Sequence, residues 1–241
     1  MKVALFVPCY VDTVYPEVAE ASLKLLRHLG LDVSCPKRQH CCGQPMANAG
    51  FAHQAVPLAG KFEADFQGYD YVVAPSVSCT AFIRTQYPAL LGHECAVKAV
   101  DLVEFLHDVV RPAGPLGHFP HKVSLHNSCH GVRELGLSSP SERNIAPFNK
   151  IRDLLSLVEG IEVVEPERPD ECCGFGGLFS IEENAVSTRM GRDKLRRHAD
   201  TGAEYVTGPD SACLMQLSAS ARKLRIDIGF KHVAEILASG L

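Results

Sequence analysis

Val3 to Val7 is an unbroken apolar run, the signature of a strand covered on both faces. Glu17 to Leu29 follows with apolar positions at helical spacing and stops at Gly30, a usual helix terminator. Leu31-Asp32-Val33 is a weaker strand and Tyr69 to Ala74 a stronger one. The second half follows the same plan, with a strand over Lys122 to Leu125, a helix over Ile151 to Val158 and a strand over Ile161 to Val164. Ser180-Ile181-Glu182-Glu183 has the form of a capping box, opening a helix that runs to about Ala199. Arg192, Lys194, Arg196 and Arg197 in its last turns read as a solvated end that suits the helix dipole. Tyr205-Val206-Thr207 is the next strand. Strands alternating with helices predict an α/β fold of two similar lobes, each with a small, largely parallel sheet flanked by helices. The proline- and glycine-rich stretch Arg111 to Gly117 predicts the boundary, with residues 1–114 as one lobe and 115–241 as the other.

An internal duplication supports that division. Cys9, Cys41-Cys42-Gly43 and Cys79 form one series; Cys129, Cys172-Cys173-Gly174 and Cys213 form a second in the same order. The flanks match too. Pro75-Ser76-Val77-Ser78-Cys79 parallels Pro209-Asp210-Ser211-Ala212-Cys213, and Asp101 to Leu106 parallels His232 to Leu237. The longer first step of the second series is accounted for by the polar insert Ser138 to Asn144.

Composition narrows the function. The 241 residues carry a formal charge of −4, and residues 1–120 hold 9 basic and 11 acidic residues, leaving 15 and 17 for the rest. Neither half offers the basic face that nucleic acid demands. No apolar run approaches the ~18 residues of a membrane span, and the first residues read as a strand rather than a signal peptide. Ten cysteines are too sparse for a disulfide scaffold. In a reducing, cytoplasmic setting cysteines more often serve metals or catalysis.

Cys9, Cys79, Cys129 and Cys213 fall just beyond the carboxyl ends of predicted strands, the edge where open α/β sheets bind ligands. Two adjacent cysteines cannot serve one site from regular β backbone, so each Cys-Cys-Gly needs a turn, and its glycine supplies the freedom. Phe175-Gly176-Gly177 extends that freedom but departs from a dinucleotide-binding loop. Packing alone does not require such a set twice. Structural zinc accepts four thiolates, but its C-x₂₋₄-C knuckles are absent. Iron–sulfur clusters tolerate widely separated thiolates. A zinc-stabilised scaffold without redox activity stands as the alternative. A thiol–disulfide enzyme needs a cation beside its cysteine pair: Arg38 and His40 offer one in the first half, whereas Asp170 and Glu171 oppose it in the second.

The doubled C…CCG…C pattern resembles the cysteine-rich CCG-domain family, which also includes the CCG-bearing component of heterodisulfide reductase. Pro8-Cys9, His40-Cys41-Cys42-Gly43 and Glu171 to Gly177 resemble most the lactate-utilisation protein A branch. The resemblance spans nearly the whole chain. It implies two bound 4Fe–4S clusters, one held by Cys9, Cys41, Cys42 and Cys79 and one by Cys129, Cys172, Cys173 and Cys213. It further implies electron transfer during oxidation of L-lactate to pyruvate, in company with two other subunits, with no catalytic residue in this chain. The reductase component ends each series in CxxC and so offers five cysteines to a noncubane cluster. Here Ser76 and Asp210 stand three residues before Cys79 and Cys213, leaving four, the number a cubane needs. Ser76 and Asp210 are expected as turn or helix-cap residues, with oxygen ligation of the cluster as the alternative. His40, His126 and His130 lie near cysteines in sequence; His126 and His130 are expected to tune a cluster by hydrogen bonding, with replacement of a ligand as the alternative. Cys35 and Cys95 have no counterpart and read as structural.

Overall fold

The computed structural model describes residues 1–37 and 39–241; Arg38 lies outside the described residues, and with it the cation expected beside Cys41. The first half runs β1 (Lys2–Leu5), α1 (Cys9–Val14), α2 (Pro16–His28), β2 (Asp32–Ser34), α3 (Gln44–Asn48), α4 (Ala52–Phe66), β3 (Tyr71–Ala74), α5 (Val77–Leu91), β4 (Ala99–Asp101) and α6 (Leu102–Glu104), which continues as a π-helical stretch, Phe105–Val110. The second half runs β5 (Lys122–Leu125), α7 (Cys129–Arg133), α8 (Lys150–Leu155), β6 (Glu162–Val164), α9 (Phe179–Glu182), α10 (Asn184–Ala199), β7 (Tyr205–Gly208), α11 (Ser211–Leu224), β8 (Gly229–His232) and α12 (Val233–Leu237).

The strands form two four-stranded sheets in the orders β2-β1-β3-β4 and β6-β5-β7-β8. Every pairing is parallel, and the registers correspond: Val3 lies opposite Tyr71, and Val123 opposite Tyr205. The fold is α/β, two similar lobes with parallel sheets between helices. Each sheet has a fourth strand, β4 or β8, that is too short and mixed to stand out from its own residues.

Alternation along the strands builds the layers. Val3, Leu5 and Val73 face a large apolar cluster that also takes in Val123 and Leu125 of the second sheet. Between the sheets that cluster is filled by Val18, Leu25 and Leu26 of α2, Ile151 and Leu154 of α8, and Val233 and Ile236 of α12. The two lobes therefore share one interior. Ala4, Phe6, Val72 and Ala74 face the opposite side, where α4 and α5 close a second cluster. Equivalent caps end the repeats: Asp101 accepts a hydrogen bond from Val103 N at 2.8 Å, and His232 Nδ1 accepts one from Ala234 N at 3.1 Å.

One expected helix start is different. Ser180 lies inside α9 and donates from its hydroxyl to Gly177 O, and the chain breaks at Glu183 before α10 begins. Three glycines just upstream (Gly174, Gly176, Gly177), all at positive φ, let the chain turn into a separate short helix instead of a box.

Candidate metal centres

The cysteines of each series converge at the carboxyl edge of their sheet. Cys9 and Cys129 are the first residues of α1 and α7, directly after β1 and β5. Cys79 and Cys213 lie in the first turns of α5 and α11, after β3 and β7. The Cys-Cys-Gly segments turn back toward them from the ends of β2 and β6. Gly43 (φ +94°) and Gly174 (φ +82°) make those turns. A Cβ on Gly43 would come within 2.9 Å of Ala55 Cβ, and one on Gly174 within 2.7 Å of Met190 Cβ, so only glycine fits.

In the first lobe Cys9 Sγ lies 3.8 Å from Cys41 Sγ, and Cys42 Sγ 3.4 Å from Cys79 Sγ. Gly43 N donates to Cys41 Sγ at 3.4 Å, and its counterpart Gly174 N donates to Cys172 Sγ at 3.3 Å. Burial repeats as well: Cys42 and Cys173 are 1% and 3% exposed, Cys79 and Cys213 both 8%. Protonation is divided alike. The thiols of Cys42 and Cys9, then the Gly43 N–H, hold Cys41 well below the ordinary thiol range. Cys129 and Cys173 do the same for Cys172. Cys9, Cys42, Cys129 and Cys173 are pushed up, first by hydrogen bonding to that neighbouring thiolate and then by burial. Each quartet thus gathers sulfur donors of opposed proton affinity, a set that a metal completes by displacing protons. All ten cysteines are free. Cys35 is exposed and Cys95 half-buried, both outside the quartets.

The two quartets adjoin. Ser76 caps α5, accepting from Cys79 N, and Asp210 caps α11, accepting from Ala212 N at 3.1 Å. Both therefore serve as caps. Asp210 Oδ2 also reaches across the lobes to Ser78 N at 2.9 Å. The rings of Tyr10 and Phe175, each beside a different quartet, meet edge to face at 5.8 Å.

The family model described as CCG, a cysteine-rich domain, matches residues 3–84 and 123–218, so each match contains one whole quartet. The chain belongs to this cysteine-rich CCG-domain family, in its lactate utilization protein A branch. It is 34% identical to Lactate utilization protein A of Bacillus pumilus (strain SAFR-032) over 99% of this chain and 100% of that one. It is 36% identical to the protein of the same name from Exiguobacterium sp., over 100% of this chain and 98% of that one. A solved structure of a hypothetical protein from Helicobacter pylori shares the fold with a TM-score of 0.66 at 11% identity. All of this chain is covered, but it spans about half of that one, 49%. Among the described residues no helix is long and apolar enough to cross a membrane.

Around the CCG quartets the histidines separate. His130 Nδ1 lies 3.8 Å from Cys129 Sγ, and His40 Nδ1 donates to the carbonyl of Cys41 at 2.9 Å. His126 is fully buried, with its ring and the sulfurs of Cys173 and Cys213 all within 4.8 Å of one another. Burial, with the charge of Lys194, pulls the His126 pKa down to about 3. The ring of His198 meets that of His126 edge to face, at 5.7 Å between ring centres. The reading of the α10 basic cluster as solvated is corrected at two positions. Lys194 is 0% exposed and donates to the carbonyls of Arg168 (2.6 Å) and Pro169 (3.2 Å), which lead into the Cys172 loop. Arg197 pairs with Glu171 of the same loop. The interval from Ser187 through Gly191 and Lys194 to His198 is a helical face, and that face turns inward.

Clustered cysteines inside a cysteine-rich domain indicate metal binding, with four thiol donors in each lobe.

Proposed function

We propose that the chain is the iron–sulfur electron-transfer subunit of a complex that oxidises L-lactate to pyruvate. The observation that carries the reading is the pair of complete four-cysteine sets, one in each CCG repeat, adjoining at the seam of the lobes. The donor set fits the group: thiolate ligands, buried inner sulfurs and backbone N–H donors from Gly43 and Gly174 to the sulfurs of Cys41 and Cys172. Cys9, Cys41, Cys42 and Cys79 would hold one 4Fe–4S cluster, and Cys129, Cys172, Cys173 and Cys213 the other. Bound clusters supply single-electron transfer. The relatives' name, lactate utilization, supplies the substrate.

Oxidation of L-lactate releases two electrons and two protons, and needs a base, a cation for the carboxylate and a hydride acceptor. The chain carries no dinucleotide fingerprint, so that chemistry is assigned to two partner subunits and the relay to this one. Its residues hold the centres, exclude water from Cys42 and Cys173, and keep the two sites adjacent. Ten free thiols suit a reducing cytoplasm.

One observation favours zinc as the second reading. Sulfurs 3.4 and 3.8 Å apart approach the edge of about 3.8 Å that a tetrahedral ion with 2.3 Å metal–sulfur bonds would set. The functional test is pyruvate formation from L-lactate with an artificial acceptor. The metal-loaded chain alone is expected to be inactive, and turnover to appear on adding the partner subunits. Pyruvate formation by the chain alone would overturn the relay role.

A further inference from the structure

The lobes correspond position by position, and they part company beneath the quartets. Phe6 and His126 occupy one position: their backbone N–H groups donate to Val73 O at 2.8 Å and to Thr207 O at 2.7 Å, at the ends of equivalent strands. The buried face of α4 is Ala55, Ala59, Phe62 and Phe66; that of α10, at the same spacing, includes Ser187, Gly191, Lys194 and His198. In the first lobe Phe6 meets Phe62 at 5.2 Å and Phe66 at 5.8 Å, in the same apolar cluster as Cys42 and Cys79. In the second, the three matched residues are His126, Lys194 and His198, with His198 Nδ1 hydrogen-bonded to Ser124 Oγ at 2.8 Å. Both ring nitrogens of His126 are buried and have no partner among the described residues.

The fold does not require this polar floor, because phenyl rings fill the same positions in the other lobe. Burying an ammonium and two imidazoles is costly unless something offsets it. The acidic groups of the adjoining loop are already engaged: Asp170 by Ser141 and Arg133, Glu171 by Arg197 and Arg168. That leaves Lys194, held by the Arg168 and Pro169 carbonyls that lead into the Cys172 loop, and His126, whose ring lies within 4.8 Å of the sulfurs of Cys173 and Cys213.

Resting on the iron–sulfur reading, we propose that Lys194, His126 and His198 make the second centre the electron-accepting end of the chain. Reduction adds one negative charge to a centre. A buried cation and an N–H donor stabilise that charge, whereas the phenyl floor of the first site offers it nothing. Electrons therefore pass from the first lobe to the second, and the direction is built into the floor beneath the ligands. Lys194 acts as a positioning charge, through the loop that carries Cys172.

The test is an anaerobic redox titration of the loaded full chain, followed by electron paramagnetic resonance. Cys173→Ser isolates the first centre and Cys42→Ser the second. The second is expected to reduce at the higher potential, by at least tenfold in its one-electron reduction constant, about 59 mV. Lys194→Met should lower the potential in the Cys42→Ser background and leave it unchanged in the Cys173→Ser background, with Lys194→Arg restoring it. If Lys194→Met disturbs the circular dichroism, His126→Phe, which installs the first lobe's residue, carries the same expectation. Equal or inverted potentials would overturn this inference and leave the iron–sulfur reading standing. A chain that takes up zinc and no iron would overturn both.

Discussion

The carboxylate of Asp210 accepts a hydrogen bond at 2.9 Å from the backbone N–H of Ser78 in the other lobe. Its sequence counterpart, Ser76, donates to the same oxygen at 3.3 Å. The matched residues of the two repeats thus meet each other at the seam between the lobes. Each also caps the helix that carries the last cysteine of its quartet, so one carboxylate ties α11, α5 and both sites together.

Asp210→Ala should therefore destabilise the chain by roughly 2–4 kcal/mol, combining a lost cap with buried donors left unpaired. Asp210→Asn keeps an acceptor and should cost about half as much. Denaturant unfolding of both variants checks this, and equal losses would show that the contacts across the lobes carry no weight.

The glycine turns give a prediction with an internal control. Gly174→Ala meets both a positive φ and the Met190 side chain at 2.7 Å, whereas Gly177→Ala, at φ +63°, has no atom within 4 Å. Gly177→Ala should cost about 1 kcal/mol from backbone strain alone. Gly174→Ala should cost several-fold more and deplete metal from the second site only. Metal content per chain, measured beside stability, separates the two.

Burial draws the pKa of Lys194 down from 10.5 to about 8. Between those values the unfolded chain binds a proton that the native chain does not, so stability must rise with pH there. Relative to Lys194→Met, the reduced, metal-free chain should gain up to roughly 3 kcal/mol between pH 8 and pH 10.5 and change little below pH 7. A flat difference across that range would mean that burial does not lower the pKa of the Lys194 ammonium.

Much of this arrangement is legible in the sequence, because the cysteine series, the apolar strand runs and the Gly30 helix stop are local signals. Pro16–His28 forms where the periodicity places it, and Lys122–Leu125 matches residue for residue. What the sequence conceals is orientation. Lys194 sits among four basic residues at a helix end, where composition favours solvent, yet its spacing from Gly191 and His198 turns it inward. The signal was present in the repeat itself: set against Phe62 and Phe66, Lys194 and His198 fall at core positions. The short strands Ala99–Asp101 and Gly229–His232 were hidden for another reason, since they are stabilised by pairing to β3 and β7 rather than by their own composition.

Stripping the metal should loosen the cysteine loops and leave the sheets, because the shared interior of Val3, Leu5, Val123 and Leu125 does not involve the quartets. Far-ultraviolet circular dichroism should survive chelation while protease sensitivity rises around residues 41–43 and 172–174. Loss of all secondary structure would show that core and sites are one unit.

The most direct measurement is iron and acid-labile sulfide per chain after anaerobic reconstitution, for the native chain and for Cys42→Ser. Iron and sulfide are expected in equal amounts in the native chain, and about half of each in Cys42→Ser, because each lobe holds its own centre. Zinc without sulfide, or loss of both centres from a Cys42→Ser chain that remains folded, would contradict this assignment.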